Sequence, residues 1–412
     1  MGERTFGART IPVGLNPVAL AVDERRGRAY VVEQGARDAD GNPRGPGDVR
    51  VVDLTSGRTL RVTAVGYAPS AAVVDARTGR VFVANAIGRD VSVLDARDGA
   101  LLSTIRGIGP GARLMDDDGA GHVLVVAGGV TDATGLSLGG GSVTILDAGT
   151  MRIVGMVPGG VSPSAAVALP GRAFILDRVA AAAGSVDAVD IGRRRVIRST
   201  DVTVSFDGLA ASAPLGPARG EAGGAGGATG RVFVLTQRVA PPPSVLSIDT
   251  ITVLDADDGS ARATVAFGSP DDTAVGLALD RRAGHLIVPV RDSANRPAVD
   301  VLDAGTGRLL RRIAVDARPS ATPLGPGGVA APIAPVLDER TGRALVATSS
   351  LDGLSSLLHI VDTRGGALPG AVPLARGASI VTMAADAGAA RALVLATAPG
   401  SAHGTLTLID GL

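Results

Sequence analysis

Eight aspartates close eight near-copies of one short stretch, and carboxylates are residues on which acid–base or metal chemistry is commonly built. The copies read apolar-polar-apolar-apolar-Asp: Val49 to Asp53, Val91 to Asp95, Val143 to Asp147, Val186 to Asp190, Ile251 to Asp255, Val299 to Asp303, Leu358 to Asp362 and Leu406 to Asp410. A unique site has to break a repeat, so an acid present in every copy is assigned to the architecture. There its side chain accepts hydrogen bonds from the backbone N–H groups of the turn that follows.

The other reactive side chains are scattered. His122 and His285 take a position that Arg fills in the other repeats and are expected at the surface. His359 falls in a polar column with Ser92, Thr144 and Thr252, and His403 falls in a loop. A metal site needs several ligands in one place, which this scatter opposes. Asp38-Ala-Asp40-Gly41-Asn42 has the alternating oxygens of the start of a calcium loop, but Pro43 follows and no Glu stands at the twelfth position. Asp38, Asp40 and Asn42 are therefore a weak calcium candidate, and no other metal is expected. Asp116-Asp117-Asp118 is expected to be a solvated turn. The chain has no Cys, which excludes disulfides, thiolate nucleophiles and Cys-ligated metals.

These residues belong to a repeat whose spacing averages about 51 residues, a period typical of propellers and similar arrays. The second copy shows the unit best. Ser70 to Asp75 is strand a, Arg80 to Asn85 strand b, Val91 to Asp95 strand c and Leu101 to Ile105 strand d, joined by Gly- and Asp-containing turns. That is the pattern of an antiparallel meander. The third residues of the b strands (Tyr30, Phe82, Leu124, Phe174, Phe233, Ile287, Leu345 and Leu393) are apolar in every copy and are assigned to packing between sheets. The last copy lacks d, while the chain begins with a spare strand, Ala8 to Gly14. The fold class expected is all-β: one β-propeller domain over residues 1–412 with eight four-stranded blades, seven being the alternative. The N-terminal strand supplies the outer strand of the last blade and removes the exposed edges. Residues 214–230 form a low-complexity insertion in the a–b turn of blade five, and Asp316 to Ala331 lengthens the link between blades six and seven.

Val65-Gly-Tyr-Ala-Pro69, Phe82-Val-Ala-Asn85 and Val91 to Asp95 resemble the YVTN-type β-propeller repeat, a WD40-like blade unit. The resemblance spans nearly the whole chain and is sharpest in the first two blades. It implies a bacterial, often extracytoplasmic scaffold without an assigned reaction. The third-strand turns, such as Asp303-Ala-Gly-Thr-Gly307, are also similar to repeats of quinoprotein propellers, although the Trp that those carry is missing here.

Composition narrows the partners. Formal net charge is zero, so the basic footprint of a nucleic-acid binder is missing, as is attraction to acidic membranes. All 40 basic residues are Arg, which we read as codon bias of a GC-rich bacterial genome. Aromatic residues make up 2%, too few for base- or sugar-stacking platforms. No apolar run reaches transmembrane length, and the N-terminus has no signal-peptide pattern. A periplasmic, secreted or surface-anchored location is expected if a signal segment was trimmed, and the protein is expected to be a monomer.

A meander places the a–b and c–d turns on one face and the b–c and d–a connections on the other. The second face holds the long segments: Gln34 to Asp48, Gly128 to Gly141, Arg178 to Ser185, Arg238 to Thr250 and Arg291 to Pro297. Long loops on a rigid scaffold are where recognition resides. Polar residues that differ by blade cluster at the b-strand ends, and they are the candidate ligand-binding set: Glu33, Gln34, Asn85, Asp177, Arg178, Gln237, Arg238, Arg291 and Asp292. The a strands that wall the channel offer almost no titratable groups, which opposes acid–base catalysis. No catalytic residue and no cofactor are therefore assigned. The function expected is a non-catalytic scaffold that binds a protein, peptide or small ligand through the long-loop face. The alternative is a propeller enzyme, either a quinoprotein-like dehydrogenase or of lactonase or lyase type.

Overall fold

Each blade is a four-stranded antiparallel meander, and blade two shows how its register follows from the sequence. Its strands are a, Pro69–Asp75; b, Arg80–Asn85; c, Asp90–Asp95; and d, Leu101–Arg106. Arg80, which opens b, lies opposite Asp75 on one side and Asp95 on the other. The same Asp–Arg–Asp rung recurs in blade one (Asp23, Arg28, Asp53) and blade seven (Asp338, Arg343, Asp362). The hydrophobic alternation fixes the register, since a one-residue slip would turn the apolar face outward, while Arg80 and Arg343 donate to carbonyls of the next blade, Ala148 and Gly411. The computed structural model describes residues 6–128, 140–160, 163–180, 183–202, 209–213, 230–239, 247–269, 272–292, 296–315, 335–349, 356–374, 378–397 and 401–412. Residues 214–229 of the low-complexity insertion and 316–331 of the blade six–seven link lie outside them, as does most of the segment from Gly128 to Gly141.

Eight blades form the propeller. The N-terminal strand, Gly7–Leu15, pairs antiparallel with the last strand, His403–Asp410, and so supplies the outer strand of blade eight. His403 thus opens a strand rather than lying in a loop. In blade six the a strand is split into Thr273–Ala274 and Ala278–Asp280, both paired with b, His285–Arg291. The break lies opposite Pro289, which has no N–H to give to the ladder. Among the described residues no helix is long and apolar enough to cross a membrane.

Eight apolar clusters fill the interfaces between successive blades, the one between blades eight and one included. The b-strand column lies in them, with Tyr30, Phe82, Leu124, Phe174, Phe233, Ile287, Leu345 and Leu393 at most 1% exposed. Burying side chains of this size contributes about 1.5–3 kcal/mol each, so the column is a main source of cohesion around the ring. Tyr30 also donates its buried hydroxyl to the carbonyl of Ala96 in blade two.

Candidate functional site

The face carrying the a–b and c–d turns is closed by repeated hydrogen bonding. In all eight blades the residue after the c-strand Asp donates its N–H to a carbonyl of the a–b turn in the same blade. Leu54 donates to Gly27, Ala96 to Gly79 and Ala148 to Gly121, each at 2.9 Å, and the series ends with Gly411 to Ala390 at 3.1 Å. Seven of the c-strand aspartates accept from the turn that follows, for example Asp53 from Ser56 N at 2.7 Å and Asp303 from Thr306 N at 2.7 Å. Asp410 has no such turn and is held by Arg391. These bonds to backbone and side-chain donors hold Asp53, Asp147, Asp190 and Asp303 below the usual carboxylate range. These turns need a residue in the left-handed region, and where Gly is missing Met151, Arg194 and Ala390 adopt positive φ instead.

The opposite face is irregular, and the structure assigns several of its candidate residues to structural contacts. Glu33 is 3% exposed; it pairs with Arg50 at 2.8 Å and accepts Gly14 N at 2.7 Å, tying the closing strand to blade one. Gln34 donates to Pro69 O at 2.8 Å and accepts from Arg37. Asn85 is buried, donating to Asp90 Oδ1 at 2.6 Å and Ser92 Oγ at 3.0 Å. Asp177 is buried against the preceding link, where a Cβ on Gly160 would meet its Oδ2 at 1.8 Å. Asp292 accepts from Arg296 N at 2.8 Å and Nε at 2.6 Å.

The segment from Arg178 to Ser185 is a hairpin rather than a loop. Strands Arg172–Ala180 and Ala183–Asp190 pair out to Ala180 opposite Ala183, because the alanine-rich sequence continues the ladder. Gln237 and Arg238 likewise sit opposite Asp249 and Ile248, and Arg291 opposite Pro297. The side chains of Arg178, Gln237 and Arg238 lie outside the described residues. In the weak calcium candidate, Asp38 Oδ1 accepts Asp40 N at 3.0 Å and Asn42 N at 2.8 Å, which is an Asx turn.

A cleft of about 260 Å³ opens at the long-loop side between blades four and five. Thr236, Thr250, Thr252 and Thr264 line it from three strands of blade five, and Asp201 stands at the end of the outer strand of blade four. Thr236 and Thr250 hydroxyls are 2.7 Å apart, and Thr252 and Thr264 hydroxyls 3.2 Å. At the same place on three other blades, larger polar pairs stand. Glu33–Arg50 does so in blade one, and Asp300–Arg312 in blade six at 2.7 Å. In blade seven it is Thr348–His359 at 2.9 Å. Thr252 belongs to the polar column that also holds His359, whereas Thr236, Thr250 and Thr264 carry no individual signal in the sequence. A comparison of polar columns across the blades carries the signal, since only blade five places Thr at all four positions.

Two further expectations are corrected. Asp116-Asp117-Asp118 is not a solvated turn, because Asp116 and Asp117 end strand a of blade three (Ala112–Asp117). Asp118 is buried and accepts His122 N at 2.9 Å and His122 Nδ1 at 2.8 Å. Asp116 Oδ2 accepts Ala168 N of the neighbouring a strand at 2.7 Å, occupying an amide on the free inner edge of the sheet. Nor are His122 and His285 surface residues. Both are half-buried, and burial lowers the His285 pKa.

Burial pushes Asp116 up to about 6 from 3.8. The folded protein therefore keeps this proton over a range in which the unfolded chain has lost it. The resulting stabilisation is fully present below pH ~4 and lost as pH rises through ~6. Asp116→Asn removes the titration while keeping one of the two acceptor oxygens. Between pH 4.5 and 7.5 the wild type is expected to lose about 1–2 kcal/mol relative to this variant, measured by urea unfolding. Parallel pH profiles for the two proteins would refute the assignment.

No protein-family profile matches this chain, and no curated protein sequence matches it. Among solved structures, Kuenenia stuttgartiensis hydrazine synthase is similar at a TM-score of 0.51 and 16% identity, covering 89% of this chain and 97% of that one. At this identity the likeness is one of fold.

Proposed function

We propose that the protein is a non-catalytic recognition module that binds a protein, peptide or small ligand through the face formed by its b–c and d–a connections. The observation that carries this reading is the inequality of the two faces. One is tied in every blade by the same hydrogen bond from the residue after the c-strand Asp. The other differs blade by blade and holds the threonine-lined cleft. A rigid scaffold that carries most of its long connections at one end is the arrangement that recognition surfaces use. The resemblance of the first two blades to YVTN-type repeats supports the same reading, together with a bacterial and extracytoplasmic setting. On the channel side, Asp116 engages backbone N–H groups through both carboxylate oxygens, which favours a positioning role over proton transfer.

The test compares the two faces. Arg178→Glu/Arg238→Glu/Arg291→Glu alters the proposed face, and Arg97→Glu/Arg282→Glu alters the opposite one. A partner captured on immobilised wild-type protein is purified and titrated by calorimetry against each variant. The triple variant is expected to bind at least tenfold more weakly and the control to bind normally. Unchanged affinity in the triple variant would overturn the assigned face.

A further inference from the structure

We infer that the cleft between blades four and five binds a small uncharged polyhydroxy compound, a ligand of the polyol and monosaccharide class. The inference names a ligand for the recognition face proposed above and rests on that reading. Its first support is that blade five differs at this place from blades one, six and seven. The polar position at the centre of each c strand faces the preceding blade, and at blades one, six and seven it is filled by Arg50, Asp300 and His359 with their partners. Blade five has Thr252 there, with Thr236, Thr250 and Thr264 around it, and about 260 Å³ stays open. That volume is below the roughly 300–1,000 Å³ of drug-sized pockets, which limits the ligand to a small molecule.

The chemistry of the lining selects the class. A threonine hydroxyl gives one proton and accepts two. Within each hydroxyl pair one proton is used by its partner, and the other pair members retain both donor and acceptor capacity. The remaining proton of the Thr236–Thr250 pair has only carbonyls at 3.3 and 3.5 Å as alternatives. Among the described lining residues none is cationic. Asp201, exposed at the mouth, is acceptor-only and suited to adjacent hydroxyls. Val202 and Ile248 add apolar surface against which ring or chain carbons can lie. Recognition here works through hydrogen bonds and needs no aromatic platform, consistent with the scarcity of aromatic residues.

Saturation-transfer NMR on the full-length protein, with myo-inositol, D-ribose and D-glucose as probes, tests the inference. Ethanolamine serves as a cationic control and inorganic phosphate as an anionic one. Thr236→Val/Thr250→Val removes one hydroxyl pair together, so no buried partner is orphaned and folding is preserved. Thr264→Leu fills the cleft instead. At least one polyol is expected to bind in the millimolar range, with a tenfold or greater loss in both variants and unchanged melting temperatures. Preference for ethanolamine or phosphate, or polyol binding unaffected by the variants, overturns the inference. If no polyol binds while the arginine variant still loses its partner, the inference falls and the recognition face stands. If polyols bind in the cleft while partner affinity ignores the arginines, the cleft stands and the wider face falls.

Discussion

Removal of the first strand, Gly7–Leu15, is expected to lower stability by about 5 kcal/mol or more and to make the protein self-associate. The strand serves two blades at once. It pairs with His403–Asp410 as the outer strand of blade eight, from Gly7 opposite Asp410 to Leu15 opposite His403. Ile11 and Val13 are buried in a cluster that joins Leu406 and Leu408 of blade eight to Val31 and Val52 of blade one. Their burial alone is worth about 3–6 kcal/mol. Gly14 N donates to Glu33 at 2.7 Å, and Arg9 reaches Leu54 O at 3.1 Å, so the strand also latches onto the first blade. Without it the edge of His403–Asp410 is left unpaired and open to another chain.

The measurement is urea unfolding with sedimentation analysis of the deletion variant. A circular permutant sharpens it, with residues 6–15 placed after Leu412 through a short Gly-containing turn. Blade eight then becomes an uninterrupted meander, and stability is expected to return to within about 2 kcal/mol of wild type. A deletion variant that unfolds like wild type would show that the closure contributes nothing.

Arg312→Met is expected to cost about 3 kcal/mol. Arg312, on strand d of blade six (Leu309–Ala314), donates through Nε to Asp300 Oδ1 and through Nη2 to Asp300 Oδ2 and Asp272 Oδ2, all at 2.7 Å. Asp300 is fully buried and Asp272 is 4% exposed. The hydrogen bond to Asp300, helped by Asp272, raises the Arg312 pKa against the opposing effect of burial. Methionine would keep much of the packing but leave two buried carboxylates without their cation, which is the costly half of such an interaction. Because the Arg312 side chain is 34% exposed, solvent reaches the site, and the lower end of the usual 3–5 kcal/mol range applies. The double variant Asp300→Val/Arg312→Met removes the main pair together and is expected to recover about half of the loss. Additivity of the two single variants in a double-mutant cycle would refute coupling.

Much of the architecture was legible in the sequence because the forces that set it are local or repeated. Alternation marks the strands, and Val91 to Asp95 shows both the alternation and the turn-capping acid at its end. Eight copies of it give the blade count. The unpaired strand at Ala8 to Gly14 and the missing d of the last copy give the closure. The Tyr30–Leu393 column gives the core, since a position that is apolar in every blade has one place to go. Asp95 as a structural acid follows from the same count.

The candidate site was less legible, for a reason of the same kind. Whether a polar residue is available depends on partners far away in sequence. Glu33 and Asn85 have the composition of ligand contacts, yet Glu33 is engaged by Arg50 and Gly14, and Asn85 by Asp90 and Ser92. Arg178 to Ser185 has the length of a loop, yet alanines carry its ladder on. Asp116 looked like part of a turn because three acids in a row are usually solvated. Register instead points its carboxylate at the inner strand of the next blade. The cleft joins Asp201 to threonines as distant as Thr264, and its volume is what remains after two blades have packed. Periodicity and turn chemistry are written between neighbours in the chain. Voids and hydrogen-bond partners come from side-chain packing across the ring, so the eight-bladed scaffold could be read from the sequence, whereas the cleft between blades four and five emerged only once the blades were in contact.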